Sequence, residues 1–584
     1  MIFWASRTGV ALGAVCLPLF LAAQSLRLSN GLTIRQSATV DNQRYVLPAA
    51  AGDGRDAVIT IEGEHIEVDF QRAQLIGATT LTHPDSFEGV GVKVRGKDIT
   101  LRNLRISGYK VALIADQVEH LRLTDCDFSY NYRPGHPAPV IAFSTETALA
   151  GGAAVVLEGC HAPEIKGCKM KANQNALCLS QCQEAIIWNN TIQFNAGAGI
   201  GIQGGKGHKI MHNRTDWNVG QASGWQSPAG APGAGIVLLE VNQSTVAYNS
   251  ATHCGTGLQM SGSDNIIFGN EFSFAANTGI SAASGSNEVR GNLFRECPTG
   301  IAACGPDNMI IAANYLASCP KGIVAHDDGT HQLVQNLFQN DSLGIYIGAG
   351  AAGNQRSSGS SIDRNVFLQV RRPLHLDRTT GKTQINGENL FADFEDLLTV
   401  TPPEQSFQLL RNDIYTNAYK AAQLWKQPGL ADFKSLNFIH DGAPEDPYKP
   451  LEIPVNELHE PDSLKGGMST ALPADFPQGR QFILTDQWGP YDFRRPIAAI
   501  DTIVGNLIAI TLLGPAGDWK VTGMNGLESI NAKSGTLPAA LILEKSPKAG
   551  NVVVEFEYAG PEVIYTVFGA RIPPGERYRF VFRM

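Results

Sequence analysis

Tyr132, Arg133 and His136 lie in one stretch of the chain, Lys169 and Lys171 in a second, and Asp216, Trp217 and Trp225 in a third, followed by Glu240 and His253. Aromatic rings beside polar and basic groups suit a sugar, which offers an apolar face and a rim of hydroxyls. A lysine or arginine holds a uronate carboxylate, and a partly desolvated lysine removes the proton next to it. On this reading Lys171, Asp216, His253, Glu240 and Arg133 are the candidate catalytic residues. Lys169, Tyr132, His136, Trp217 and Trp225 are the candidates for holding substrate. Hydrolysis of a glycoside needs two carboxylates about 5–9.5 Å apart. The expected floor of the site holds lysines and one acid, Asp216, so elimination is slightly preferred to hydrolysis. The competing reading makes all of them ordinary solvated positions.

Other constellations carry less. His208, His212 and Arg214 match no zinc spacing such as His-Glu-x-x-His. His326-Asp327-Asp328 with His331 forms a polar turn whose carboxylates suit Ca²⁺, and a solvated bend is the competing reading. No other cofactor is indicated. His375 and Asp377 read as surface groups. Gly199-Ile200-Gly201-Ile202-Gln203-Gly204 fits a dinucleotide pattern, but it falls inside a longer repeat that makes it a turn and a strand. Asn189 and Asn213 stand in Asn-x-Thr sequons, and Asn213 also belongs to that repeat, where it points inward.

The repeat supplies the elements that position these side chains. Asn270, Asn292, Asn314 and Asn336 recur at a constant interval of 22, and Asn249 precedes Asn270 by 21. Phe272, Phe294, Leu316 and Phe338 follow two positions on. Gly279-Ile280, Gly300-Ile301, Gly322-Ile323 and Gly344-Ile345 complete each unit. The register extends outward through Asn103, Asp125, Cys168, Asn190 and Asn213, and on to Asn365 and Asn389. Helical repeats need longer segments with the helical period, which are absent. A parallel β-helix fits, with apolar columns inside and an asparagine ladder satisfying backbone groups at a tight bend. Cys160 and Cys182, and Cys297 and Cys319, share that interval, with Cys254 in the latter column. They read as stacked interior residues.

Three insertions interrupt the period. Spacing grows to 43 between Asp125 and Cys168, with the excess near 129–152, and to 36 between Asn213 and Asn249, with the excess near 218–234. Both leave the repeat from one corner, about three turns apart, and so wall a cleft. Its floor is formed by Lys169, Lys171, Thr191, Gln193, Asp216, Trp217, Thr252 and His253, facing outward. A third insertion, near 349–361, leaves from another corner. Loops on a rigid scaffold commonly carry function.

Two further segments carry a resemblance. One runs from Asp216-Trp217-Asn218 through Ala234-Gly235-Ile236 to Ala247-Tyr248-Asn249-Ser250-Ala251-Thr252-His253. The other is Asp486-Gln487-Trp488-Gly489-Pro490-Tyr491-Asp492-Phe493-Arg494. With the repeat, they make most of residues 60–584 resemble the pectate-lyase-like right-handed parallel β-helix superfamily, and within it a subfamily of secreted bacterial β-helix proteins. The resemblance implies a right-handed all-β solenoid of about twelve turns and a sugar polymer as partner.

Composition agrees with such an architecture. Only 17% of the 584 residues are charged, Gly numbers 61, and 43% are apolar. That balance excludes a disordered chain and a coiled coil. The net charge of −9 gives no footprint for nucleic acid. After the leader no apolar run is long enough to span a membrane. A basic Arg7, an apolar stretch to Ala23 and small residues at its end read as a secretory leader. Of ten cysteines, Cys16 lies inside that stretch. An odd number remains in a large domain, which argues against a disulfide framework. The expected organisation is a leader at 1–23, a lead-in or cap at 24–60, a solenoid at 61–394, an irregular connector at 395–480 and a β-sandwich at 481–584. A short helix is expected near 418–425. Two functions follow: a secreted or periplasmic protein that cleaves an extended, uronate-containing polysaccharide by lyase-type or hydrolytic chemistry, or a non-catalytic β-helix protein that binds glycans. The oligomeric state is left open.

Overall fold

The computed structural model describes residues 25–49, 56–133, 143–218, 233–305, 308–326, 330–348, 359–377, 383–401, 407–427, 429–448, 451, 497–504, 507–513, 518–536, 539–549, 551–559, 564–566, 571–572 and 577–583. The leader, His136, Trp225, Asp327, Asp328 and the segment 486–494 lie outside them. Most turns lay down three short strands, as in Asn175–Ser180, Ile186–Trp188 and Thr191–Gln193. Copies stack in parallel into three sheets. Sheet 1 has fifteen strands, from Leu32–Ile34 to Leu398–Thr401, and sheet 2 has sixteen, from Ser25–Leu26 to Phe407–Leu410. Sheet 3 is interrupted, in runs of three, two and seven strands. The fold is a right-handed parallel β-helix.

Strand registers keep like positions in columns, which is why the repeat is visible in sequence. Inside, the Phe338 and Phe367 rings stack with centroids 4.7 Å apart, and Phe367 and Phe391 follow at 4.9 Å. The glycine before each isoleucine makes room for this column: a Cβ on Gly322 would lie 2.7 Å from Phe338. At the bend between sheets 2 and 3, Asn270 donates its backbone N–H to Asn292 Oδ1 at 2.9 Å, and Asn292 does the same to Asn314 at 3.0 Å. The ladder begins at Asn190 and extends past Asn389 to Asn412 and Asn437. Asn213 lies within it, 2% exposed.

Three expectations are corrected here. Asn103 and Asp125 are not rungs; they take left-handed φ of 58° and 52°, one position before the column, which Leu104 and Cys126 occupy in those turns. Asparagine and aspartate tolerate that conformation best after glycine, so they imitate rungs in a sequence. Pairing also reaches beyond 61–394. It begins at Ser25, inside the supposed lead-in, and reaches Phe438–His440, inside the supposed connector. The helix α2 (Ala418–Leu424) forms near the expected place, capped by Asn417 Oδ1 accepting from Lys420 N. Leu424, Trp425 and Leu430 join the apolar core there and close that end.

Residues 497–583 contribute two mainly antiparallel sheets of six and four strands, the terminal sandwich. Its Ile542 shares a buried cluster with Ile76, Leu81, Phe87, Tyr130 and Ala172 of the solenoid.

Candidate functional site

Lys171, Gln193, Asp216 and Thr252 fall in one column of the solenoid, where sheet 3 approaches the corner of the two insertions. Asp216, however, is 1% exposed and saturated. It accepts from Arg214 Nε at 2.7 Å, Ser250 Oγ at 2.5 Å, Thr252 N at 3.0 Å, Thr252 Oγ1 at 3.1 Å and Gln193 Nε2 at 3.4 Å. Trp217 and His253 were expected to face outward, and both are fully buried. Their rings stack 4.3 Å apart, and His253 continues the stack onto Phe274 at 4.8 Å. Burial, then the positive charge of Arg214, pushes the His253 imidazole down to about 3, so it stays neutral. A second asparagine run, Asn131, Asn173, Asn195 and Asn218, locks the corner immediately beyond.

The remaining expected residues scatter. Arg133 is buried, its backbone N–H bonded to Pro84 O. Tyr132 is half-buried, with Lys110 Nζ 5.0 Å over its ring. Lys169 is exposed, on the same sheet 3 strand as Lys171, and lines an open groove of about 420 Å³ at the ladder bend with Arg72, Arg105 and Asp127. Glu240 is exposed at the opposite end of its sheet 1 strand, away from the corner of the insertions. His208 is buried, its Nδ1 accepting from Ala185 N, and burial pushes it down to about 4. His331 is buried, with Nε2 3.0 Å from His326 O. Among the described residues no three His, Cys, Asp or Glu side chains gather as a metal would need.

The described end of the first insertion does not stand as a wall over sheet 3. It folds onto the outer face of sheet 1. Ser144 Oγ accepts from Thr147 N and caps the helix α1 (Thr145–Gly151). Ala148 then packs into an apolar patch with Ile114, Val156 and Cys178. Phe143 lies over the next turn, where a Cβ on Gly201 would come within 2.2 Å of its ring. Thr145 N donates to Glu158 Oε2 and Phe143 N to Gln203 Oε1, which fastens the segment at both turns. The outward column is therefore buried from Ile114 to Val237. From Gln259 through Ser281, Ala302, Val324 and Tyr346 to His375 it is half-exposed.

The open end of this face carries a polar cluster, of which the sequence reading named only His375 and Asp377, as surface groups. Tyr346 and His375 are register partners on adjacent strands, with rings edge to face at 5.2 Å. Tyr346 donates its hydroxyl to Asp377 Oδ2 at 2.8 Å. Its ring lies on Gly348, where a Cβ would meet Cε1 at 2.4 Å. Burial, then the neighbouring Arg372, pushes His375 below the ordinary imidazole value, with Asp377 opposing. Among the described residues His375 Nε2 and Arg372 Nε have no hydrogen-bond partner. Lys321, two strands away in the Arg372 column, is exposed. A neutral base, a phenol held by a carboxylate and a nearby cation thus share one surface.

A family model described as "Right handed beta helix region" matches residues 153–316 and 234–389. Three solved structures are similar at low identity. A periplasmic alginate epimerase is 12% identical, with 62% of this chain and 79% of that one covered and a TM-score of 0.34. A PL6 alginate lyase in complex with a trisaccharide is 14% identical, with 66% and 84% covered and a TM-score of 0.39. The A-module of a mannuronan C-5 epimerase from Azotobacter vinelandii is 12% identical, with 64% and 89% covered and a TM-score of 0.33. No curated protein matches the chain. The solenoid is a right-handed parallel β-helix.

Proposed function

We propose that this protein is exported and acts on an extended, uronate-containing polysaccharide, cleaving it by elimination on the open half of sheet 1. The observation that carries the reading is the Tyr346–Asp377 hydrogen bond beside His375 and Arg372 on a half-exposed strand face. Elimination needs a base for the proton next to the carboxylate, a cation to hold that carboxylate, and an acid for the leaving oxygen. Neutral His375 takes the proton, and the electron pair left on carbon forms the new double bond as the glycosidic C–O bond breaks. Tyr346 gives its proton to the departing oxygen, with Asp377 holding the phenol in place. Arg372 holds the carboxylate and stabilises the charge that builds on it. Export rests on the leader at 1–23; among the described residues no helix is long and apolar enough to cross a membrane.

The test is a panel of acidic polysaccharides followed by the ultraviolet absorbance of the new double bond. Tyr346→Phe and His375→Ala are expected to lower turnover by about 10²- to 10⁴-fold with the fold intact. Full activity in both variants would overturn the assignment. One observation favours a non-catalytic glycan-binding reading: Asp216, Trp217 and His253 are all spent on internal contacts. Saturable binding with no turnover would select it.

A further inference from the structure

The outer face of sheet 1 is closed at one end and open at the other. Its centre column is sealed by α1 and Phe143 as far as Gly201, and Val237 beyond is 8% exposed. The next four turns present Gln259, Ser281, Ala302 and Val324, all half-exposed, and then comes Tyr346. Ser281 and Ala302 leave a low, flat strip between the closed end and the Tyr346–His375 pair. Strands repeat about every 4.8 Å, close to the length of one linked pyranose ring. The strip therefore has room for about four rings, counted at one strand per ring.

From this geometry we infer that α1 and Phe143 act as an end-stop, so that the polysaccharide is gripped by one terminus and shortened by about four rings at a time. This rests on the elimination reading above and adds a direction and a length to it. The chain end abuts Phe143, the terminal rings lie over Ser281, Ala302 and Val324, and the bond to be broken sits at Tyr346 and His375. The rest of the polymer leaves over Thr399 toward the C-terminal end of the solenoid, where α2 closes the core without covering this face. The floor agrees with such use. Within the strip the centre column, Gln259, Ser281, Ala302 and Val324, carries no charge, which lets rings slide, and among the described residues of these strands Lys321 and Arg372 place cations near the reacting bond.

Product length from an end-labelled acidic polymer, resolved as a ladder, tests the inference. The wild type is expected to release products of about four rings or fewer, with viscosity falling slowly relative to the reducing ends formed. Phe143→Ala removes the stop, and Gly201→Ala displaces it by pushing a methyl into the same ring; both are expected to lengthen products by about one ring. Ala302→Trp fills the strip from a half-exposed, outward-facing position, and is expected to shorten products to about one ring. Products of broad length from the wild type, or an unchanged ladder in all three variants, would overturn the end-stop while leaving the elimination chemistry standing. Absence of turnover on every acidic glycan overturns both.

Discussion

Asp216 is the residue on which a structural and a catalytic role predict opposite results. Asp216→Ala removes a carboxylate that receives five donors. The donors do not suffer equally. The Arg214 side chain is 39% exposed and regains water, so its share is discounted as for a surface pair. The Ser250 and Thr252 hydroxyls rotate to other acceptors. The Thr252 backbone N–H is fixed and buried, and an orphaned buried donor costs about 1–3 kcal/mol. Loss of hydrogen bonds to a charged group adds about 1.5–3 kcal/mol. The sum, about 2.5–6 kcal/mol, brackets the roughly 3–5 kcal/mol that removing one partner of a buried pair usually costs. The urea midpoint of the solenoid transition should fall correspondingly with little change in slope. Turnover by the folded fraction, corrected for the population unfolded, should stay within a few-fold of wild type. An unshifted midpoint together with abolished turnover would refute the structural role and return Asp216 to the active site.

Other substitutions test the sheet 1 face and the interior. His375, the proposed proton acceptor, is pushed below the ordinary imidazole value of about 6.5, so the neutral base persists into acid. kcat/KM should rise with pH through a midpoint below that value, and Arg372→Gln should move the midpoint upward by removing a repelling charge. Gly348→Ala places a methyl 2.4 Å from Tyr346 Cε1 and should displace the phenol from Asp377. Turnover should fall at least tenfold with the urea midpoint nearly unchanged; an unaltered rate would show that the Tyr346 position is immaterial. Asp341 is 2% exposed, with Oδ1 accepting from Cys319 N. Burial, with Cys319 second, holds its carboxyl well above the usual range, so the folded state keeps a proton that the unfolded chain releases. Its contribution is complete below about 3.9 and is lost as pH rises through the folded value. Asp341→Asn should flatten that decline in stability from acid to neutral pH, and a parallel decline in both proteins would refute it.

The fold is legible because a solenoid repeats its constraints: one bend needs one amide, one ring column needs one glycine opposite, and a fixed interval exposes both. The same regularity hides what distinguishes one face from another. Lys171, Asp216 and His253 sit in register with outward positions, yet two of the three are buried, because exposure depends on what lies over a column. Asn131, Asn173, Asn195 and Asn218 were visible at spacings of 42, 22 and 23, and a second amide ladder there would have marked the corner as structural. Tyr346 and His375 are register neighbours, but the third insertion lies between them in the chain. Their pairing is lost to any search at a fixed period. The apolar outward residues Ile114, Val156 and Val237 were the remaining clue. A strand buried on both faces reads as a continuous apolar run rather than an alternating one, and Ala153–Glu158 reads that way up to its final residue. Such a run on a solenoid wall implies a cover, and the first insertion supplies one through α1 and Phe143. Taken together, the runs divide sheet 1 into a sealed and an open half, and the chemistry proposed for this face lies where the alternation returns.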